Sequence, residues 1–387
     1  MLRIDPLFSF NYVVGTQTFG PRYQFTRDPW LVETANAILA MGSNQIKFAL
    51  SPPDPAQPAY VGSTGPVSEK SNKSAPTCRS LTELARDEPT YRRVLEMPFA
   101  HYLLWVYGYS KPDWTQSLTR AAASAIYQET HELTQYLLDR FQGTGKRFLL
   151  GHWEGDWHLH PGYAADKDPD PAIVRGFTDW LNIRQKAIND ARRGKNGQGV
   201  EVYHYTEVNL VQKAMQGGKT LTNQVLPRTS VDLVSYSCYD SLAGEESVLT
   251  AKITAALDYI ESHLPKKESS SVLSALDDRR VFIGEYGFPA DTYSAKQQAS
   301  LSRTVLRAAL TWGCPYALYW AMYNNEIRDN KQRGFWLIDD QGQKQPTYTL
   351  HQNFLKKARQ WAKTFHKTRG SLPTRVEFQQ HALQIID

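Results

Sequence analysis

Eight short apolar runs, each separated from the next by a longer amphipathic segment, constrain the fold of this chain more than any other feature. The runs lie near YVVGTQ, NQIKFAL, YLLWVYG, RFLLGHW, VEVYHYT, VDLVSYS, VFIGEYG and YALYWAM. This alternation is typical of βα units around a parallel sheet. The nearly continuous apolarity of the runs suits strands that are buried on both faces. The sequence therefore predicts parallel strands with helices packed outside them.

The segments between these runs have helical periodicity, as shown by Ile253, Leu257 and Ile260, which fall on one face. Eight strands that each precede a helix close most simply into a barrel. An open doubly wound sheet would have fewer units and a glycine-rich phosphate turn, but neither GxGxxG nor GxxxxGK[ST] occurs. We therefore predict an α/β fold, a (β/α)8 TIM barrel, with residues 1–387 forming a single domain.

One segment, residues 51–78, interrupts this rhythm, since it contains six prolines and many serines and glycines. It follows the second predicted strand, and barrel geometry places loops after strands on the face where active sites of this fold lie. Two interpretations stay open: a lid or wall of the active site, or an insertion without a function of its own.

The charge and hydropathy of the chain limit its partners. The formal net charge is +5, and the basic residues are spread along the chain, which does not indicate a nucleic-acid partner. No apolar stretch reaches about 18 residues, so no membrane span is predicted. The sequence leaves the oligomeric state open. The compartment is also open: secreted or periplasmic if a leader has been removed, and cytoplasmic otherwise.

Two glutamates stand at the ends of predicted strands. Glu154 follows the fourth run in RFLLGHWEGDW, and Glu285 ends the seventh in VFIGEYG. A charged residue directly after an apolar strand is costly unless that end opens into a polar cleft. Cleavage of a glycosidic bond ordinarily needs two carboxyl groups, one protonated and one ionised. The pair therefore predicts a site for carbohydrate cleavage at the barrel mouth.

These positions resemble the arrangement in the clan A retaining glycoside hydrolases, which carry glutamates at the ends of the fourth and seventh strands. The resemblance spans nearly the whole chain, through short motifs. It implies that Glu154 is the acid/base and Glu285 the nucleophile of a double displacement that retains the anomeric configuration of an oligo- or polysaccharide. The IGEYGFP run matches the nucleophile strand, whereas Trp153 stands where the clan usually has an asparagine.

The resemblance also implies roles for residues around the pair. A tyrosine at the end of the clan's sixth strand bonds the nucleophile; Tyr239 is the best match, with Tyr236 as the alternative. A tryptophan at the end of the eighth strand forms a sugar platform, and Trp320 fits that place. Lys47 stands where many relatives carry an arginine beneath the nucleophile, and the alternative is a solvated lysine.

Further candidates for substrate binding flank the two strand ends: Trp153, Asp156, Trp157, Asn325 and Glu326. The two tryptophans beside Glu154 are also expected to desolvate its carboxyl group. Glu207, after the fifth run, is a third carboxylate on the same face and a reserve candidate for catalysis. Its alternative role is a helix-start carboxylate.

Two other functions stay open. A metal-dependent hydrolase barrel is conceivable because HWEGDWHLH offers metal-ligating side chains, with two distant histidines that could join them: His152, Asp156, His158, His160, His101 and His204. No second histidine pair at a strand end and no CxxC spacing supports it, so no metal and no cofactor are predicted. A barrel that binds glycans without cleaving them is the other alternative, since a fold does not fix a function.

Overall fold

The computed structural model describes residues 6–52, 78–193, 199–266 and 279–386. Most of the proline-rich segment predicted as a loop on the active-site face, residues 53–77, lies outside the described residues. Its role as a lid, a wall or an insertion stays a prediction.

Eight parallel strands form a closed barrel in sequential order, and the first strand pairs with the eighth. The strands are β1 Val14–Gln17, β2 Gln45–Leu50, β3 His101–Val106, β4 Lys146–Gly151, β5 Val200–Val208, β6 Leu233–Ser237, β7 Val281–Tyr286 and β8 Ala317–Tyr319. Each coincides with one of the eight apolar runs and extends at most two residues beyond it. The predicted (β/α)8 TIM barrel is therefore confirmed.

Helices surround the barrel and follow its strands. They are α1 Trp30–Met41, α2 Leu81–Asp87, α3 Pro89–Glu96, α4 Arg120–Arg140, α5 Gly155–Leu159, α6 Pro171–Arg193, α7 Val211–Met215, α8 Leu221–Gln224, α9 Glu246–Ser262, α10 Ala295–Trp312, α11 Pro346–Arg369 and α12 Arg375–Ile385. Short 3-10 turns span Pro161–Tyr163, Leu226–Arg228 and Cys238–Ser241, and β9 Ile327–Arg328 pairs with β10 Lys331–Gln332. Among the described residues, no helix is both long and apolar enough to cross a membrane.

Local sequence explains where these helices begin and end, as α10 illustrates. The Ser294 side chain accepts a hydrogen bond from the Gln297 backbone, and Gln297 bonds back to the Ser294 backbone, forming a capping box. The helix ends at Gly313, whose φ of 95° lies in the left-handed region that glycine adopts without strain. A glycine in this conformation therefore marks the end of α10.

Alternating side chains divide the strands into an outer and an inner face. Outer side chains such as Phe48 and Ile283 pack in the large core between the barrel and the helices. Inner side chains such as Leu103, Leu149 and Phe282 fill the barrel interior. Lys47 on β2 and Glu207 on β5 are fully buried polar side chains on this inner face, and they meet near the C-terminal ends of the strands.

Candidate active site

Glu154 lies between β4 and α5, at the C-terminal mouth of the barrel. Its backbone N–H donates to Glu207 Oε1 at 3.0 Å. Its carboxyl group accepts from Ser237 Oγ at 2.6 Å and from Trp157 Nε1 at 2.6 Å. Burial raises the pKa of Glu154 to about 7, although the two side-chain hydrogen bonds act in the opposite direction. A carboxyl group with this pKa can hold a proton and release it near neutral pH.

Glu285 lies in β7, where the strand pairing is irregular. The register with β6 shifts between Tyr236 and Ser237, so that Ser237 pairs with Glu285. Such an irregularity can turn a side chain toward a site. Glu285 is 2% exposed, and its Oε1 lies 3.0 Å from Lys47 Nζ. Burial raises the pKa of Glu285 well above its ordinary value, while the Lys47 ammonium opposes that rise.

Ser237 joins the two glutamates. Its Oγ lies 2.6 Å from Glu154 Oε1 and 3.5 Å from Glu285 Oε2, so these two carboxylate oxygens are at most about 6 Å apart. A hydroxyl has one proton to give and lone pairs to accept with. Ser237 can therefore accept from a protonated Glu154 while it donates to an ionised Glu285.

Lys47 lies beneath the pair and has no exposed surface. Its Nζ donates to Glu207 Oε2 at 2.8 Å, to Glu285 Oε1 at 3.0 Å and to the Gly284 carbonyl at 3.1 Å. It also lies 4.7 Å from the centre of the Trp105 ring, within the range of a cation–π interaction. The alternative of a solvated lysine is therefore wrong.

Glu207 is likewise fully buried, within β5 and not at a helix start, so that alternative is also wrong. Ser235 Oγ donates to Glu207 Oε2 at 2.6 Å, in addition to the bond from Lys47. Glu207 is thus enclosed by donors from β2, β6 and the backbone of Glu154.

The two tyrosines considered for the sixth strand point to different places. The Tyr236 hydroxyl bonds Ser241 at 2.6 Å and also Asp240, and the ring packs in the outer core. Tyr239 lies just beyond β6 and packs against the inner cluster through Phe335. Its buried hydroxyl has no hydrogen-bond partner among the described residues. Tyr236 is therefore excluded, and the bond from Tyr239 to the nucleophile stays a prediction.

Trp320 lies directly after β8, as expected, but it is only 3% exposed. Its ring stacks on Phe19, with centroids 5.2 Å apart, and lies 6.1 Å from the ring of Trp105. Its Nε1 donates to Glu326 Oε1 at 3.0 Å. Glu326 also pairs with Arg333 at 2.8 Å. Glu326 is therefore placed to orient the indole, whereas its predicted contact with substrate stays untested, as does the platform role of Trp320.

Asp156 is not a rim residue, which corrects its predicted place at the edge of the site. The residue is fully buried. Its carboxylate accepts from the backbone N–H groups of Asn209, Leu210 and Leu221, at 2.9, 3.1 and 2.6 Å. A carboxylate used in this way fixes the loop after β5 and the start of α8. The sequence around Glu154 suggested proximity to the site, but not the direction of this side chain.

Asn325 is also buried, at 4% exposure, which contradicts its predicted place on an open rim. Its backbone carbonyl accepts from Arg22 Nε at 3.0 Å. Its Oδ1 has no hydrogen-bond partner among the described residues.

A cleft of about 430 Å³ opens beside Trp153 and Trp157, and aromatic rings dominate its walls. Neither Glu154 nor Glu285 is among its described lining residues, so the cleft adjoins the pair and does not contain it. Both tryptophans predicted to flank the acid/base line it: Trp153 and Trp157, each partly exposed. Trp105, Tyr107 and Trp180 contribute further rings. The described lining includes one lysine, Lys111, and no carboxylate. Such a surface offers flat apolar faces with few charges, as sugar-binding sites do.

The histidines considered as metal ligands occupy other environments. His152 Nε2 lies 2.6 Å from Thr206 Oγ1, and its Nδ1 lies 3.0 Å from the Trp153 carbonyl. His158 is held in an aromatic cluster, 5.6 Å from the Phe177 ring. In residues 6–52, 78–193, 199–266 and 279–386, no group of three or more His, Cys, Asp or Glu side chains is arranged to hold a metal ion.

Sequence reasoning missed two residues of the candidate site. Ser237 was not singled out, although a polar residue at the end of the sixth strand, beside the mouth, could have indicated it. Trp105 was not singled out because it stands within an apolar run. The two-residue period of a strand would have placed it on the inner face of β3, together with Leu103.

Comparisons with known proteins relate this fold to glycoside hydrolases. No protein-family model matches the chain, and no curated protein matches it in sequence. The chain is similar in structure to a glycoside hydrolase family 5 lichenase from a Caldicellulosiruptor species, solved as a mutant with cellotetraose, at a TM-score of 0.53 and 11% identity, covering 92% of this chain and 96% of that one. A family 5 broad-specificity endoglucanase from Clostridium acetobutylicum is similar at a TM-score of 0.50 and 10% identity, covering 88% and 96%.

A third solved structure, β-glucuronidase 2 from Bacteroides uniformis, is similar at a TM-score of 0.50 and 10% identity. The similarity covers 89% of this chain but only 34% of that larger one. At such identities these likenesses establish the barrel fold alone.

Proposed function

We propose that this protein is a retaining glycoside hydrolase in which Glu154 is the acid/base and Glu285 the nucleophile. The observation that carries the proposal is the serine hydroxyl shared by the two carboxyl groups, which limits two of their oxygens to a separation of about 6 Å. Retaining enzymes hold their carboxyl groups about 5 to 5.5 Å apart, whereas inverting enzymes leave about 6.5 to 9.5 Å for a water molecule. The short bridge favours the retaining geometry.

The surroundings of the two carboxyl groups support different roles. Glu285 lies against the Lys47 ammonium, which favours its ionised form, as a nucleophile requires. Glu154 has a pKa of about 7, raised mainly by burial, as a general acid requires. Two nearby carboxyl groups with separate environments are a common basis for acid and nucleophile assignments.

The reaction then proceeds in two steps. Glu285 attacks the anomeric carbon as the glycosidic bond breaks, and Glu154 gives its proton to the departing oxygen. Glu154, now ionised, takes a proton from the incoming water, whose oxygen displaces Glu285 and restores both carboxyl groups. Ser237 can follow this change, since it donates to whichever neighbour is ionised.

The aromatic cleft favours a neutral oligo- or polysaccharide as the substrate. The similar solved structures include a lichenase with bound cellotetraose and an endoglucanase, which makes β-linked glucans the first class to test. The scarcity of charged groups in the described lining agrees with a neutral chain.

The test is to measure hydrolysis of a panel of β-glucans and aryl β-glycosides, followed by proton NMR of the first product anomer. We expect retention of configuration. Glu285→Gln should abolish turnover. Glu154→Gln should abolish it for poor leaving groups but spare the first step for an activated aryl leaving group, which needs no proton. Glu201→Gln, on the same strand as Glu207 but at the opposite end of the barrel, is the control and should keep wild-type activity.

An inverted first product would refute the assignment of the two roles. Full activity of both Gln variants would place the chemistry elsewhere. Glycan affinity without turnover by the wild-type protein on any substrate would favour the non-catalytic binding barrel.

A further inference from the structure

The third buried carboxylate, Glu207, contacts both halves of the proposed catalytic pair. One oxygen, Oε1, accepts the backbone N–H of Glu154 at 3.0 Å. The other, Oε2, accepts from Lys47 Nζ at 2.8 Å, and the same ammonium lies 3.0 Å from Glu285 Oε1. Glu207 thus reaches the acid/base through its main chain and the nucleophile through a shared cation.

This arrangement is costly to bury, so it calls for a reason beyond packing. Removing a carboxylate and an ammonium from water costs several kcal/mol per ion, and a buried ion pair is often no more stable than apolar side chains of similar size. The same barrel interior is filled elsewhere by Leu103, Leu149 and Phe282. The two buried charged groups directly beneath the site, Lys47 and Glu207, are therefore better explained by the site than by the fold.

We propose that Glu207 is a positioning residue: its carboxylate fixes the backbone of Glu154 and shares Lys47 with Glu285, and so aligns the two members of the pair. This inference rests on the proposed function.

The contacts show why one group can do this. Glu154 lies beyond the end of β4, so its N–H bonds the side chain of Glu207 on the neighbouring β5 instead of a backbone carbonyl of that strand. Ser237 then fixes the carboxyl end of the same residue. On the other side, Ser235 and Lys47 both donate to Glu207 Oε2, which keeps the Lys47 ammonium directed between two carboxylates.

Glu207 also contributes to the field at the pair. The titratable groups around Glu154 come from five strands or strand ends: Lys47, Tyr107, Glu207, Tyr239 and Glu285. The negative charge of Glu207 raises the pKa of Glu154 and of Glu285, whereas Lys47 lowers both. Neutralising Glu207 should therefore lower both pKa values.

The test variant is Glu207→Gln, which keeps the shape and an oxygen for the Glu154 amide but removes the charge. We expect kcat to fall roughly 100-fold through misalignment. Both limbs of the pH profile of kcat/KM should move to lower pH, by about one unit. Glu207→Asp retains the charge and loses reach, so its limbs should stay at the wild-type positions while kcat falls. Glu201→Gln is the matched control and should change neither quantity.

A second readout does not depend on turnover. The Trp157 indole N–H donates to Glu154 Oε2, so its ¹⁵N-resolved NMR signal should titrate with that carboxyl group. We expect a midpoint near the pKa of about 7 in the wild type and a lower midpoint in Glu207→Gln.

The outcomes separate the two claims. The positioning role is refuted if the wild type hydrolyses glycans and the folded Glu207→Gln variant keeps the wild-type kcat, the wild-type pH limbs and the wild-type Trp157 midpoint. The proposed function would then still stand. A wild type without hydrolase activity would refute the proposed function, and the Trp157 midpoint would still decide the influence of Glu207. If the Gln variant does not fold, wild-type kcat in Glu207→Asp overturns the inference.

Discussion

Replacing Lys47 by methionine tests the buried charge network most directly. Methionine has a similar length but no charge, so the change leaves Glu207 and Glu285 facing each other without a cation. Their oxygens lie 2.8 and 3.0 Å from Lys47 Nζ, so they are at most about 6 Å apart. The repulsion between the two carboxylates is present in the wild type as well, so the change lies in the lost attraction of the Lys47 ammonium for Glu285. At an effective dielectric constant of about 20, opposite charges about 4 to 5 Å apart attract by about 3 to 4 kcal/mol. At about 1.4 kcal/mol per pKa unit, losing this attraction raises the pKa of the carboxyl group by about 2 to 3 units.

The expected result follows if Glu285 is the carboxyl group whose pKa rises. Because the nucleophile must be ionised, the acid limb of kcat/KM should move up by about 2 to 3 pH units, and activity on that limb should fall about 100-fold or more. The variant should also be less stable, by about 3 to 5 kcal/mol, because buried charge is left unpaired. A carboxyl group whose folded-state pKa lies above its unfolded value stabilises the fold at low pH and loses that contribution as pH rises. The stability deficit should therefore be larger at pH 8 than at pH 5.

The measurements are a pH profile on an aryl glycoside and urea unfolding at both pH values. Lys186→Met is the matched control, because Lys186 is a surface lysine whose side chain is 67% exposed and pairs only with Asp190 among the ion pairs described. A folded Lys47→Met variant with the acid limb of the wild type would refute the reasoning, because the cation would then have no effect on the nucleophile.

Three further changes probe separate contacts. Trp157→Phe removes a hydrogen-bond donor that lowers the pKa of Glu154. The basic limb of the pH profile, which falls as pH rises through about 7 in the wild type, should therefore move to higher pH, and an unmoved limb would contradict this. Asp156→Asn should cost about 1 to 3 kcal/mol in urea unfolding, because one of three backbone donors then faces an amide NH2. Gly284→Ala should prevent folding or reduce the soluble yield sharply, since its Cβ would lie 1.7 Å from Ser235 Oγ; a wild-type thermal midpoint would contradict this.

The barrel was predictable because its evidence is distributed along the whole chain. Eight apolar runs repeat a strand signal, and any single error would have left seven units to indicate the same architecture. Phe48 and Ile283 point outward and Leu103 and Phe282 inward, as the strand period requires. The positions of Glu154 and Glu285 followed from the same pattern, since both lie where apolar strands end.

The finer features of the site depend on side-chain direction, which a linear pattern does not contain. Asp156 stands two residues from Glu154, yet it turns into the protein because three backbone N–H groups converge on it. Asn325 was expected on an open rim but lies buried. Ser237 meets Glu285 only because the strand register shifts there. These outcomes are set by three-dimensional neighbours far away in sequence.

The single ammonium between two carboxylates has a consequence for how this protein can change over generations. Loss of Lys47 alone leaves two buried carboxylates without a cation, and loss of Glu207 alone leaves the Lys47 ammonium with one carboxylate partner instead of two. Intermediates with one replacement are therefore penalised, and a joint replacement by uncharged residues still leaves Glu285 without its cation. Descendants of this chain that keep the activity should therefore keep Lys47 and Glu207 together.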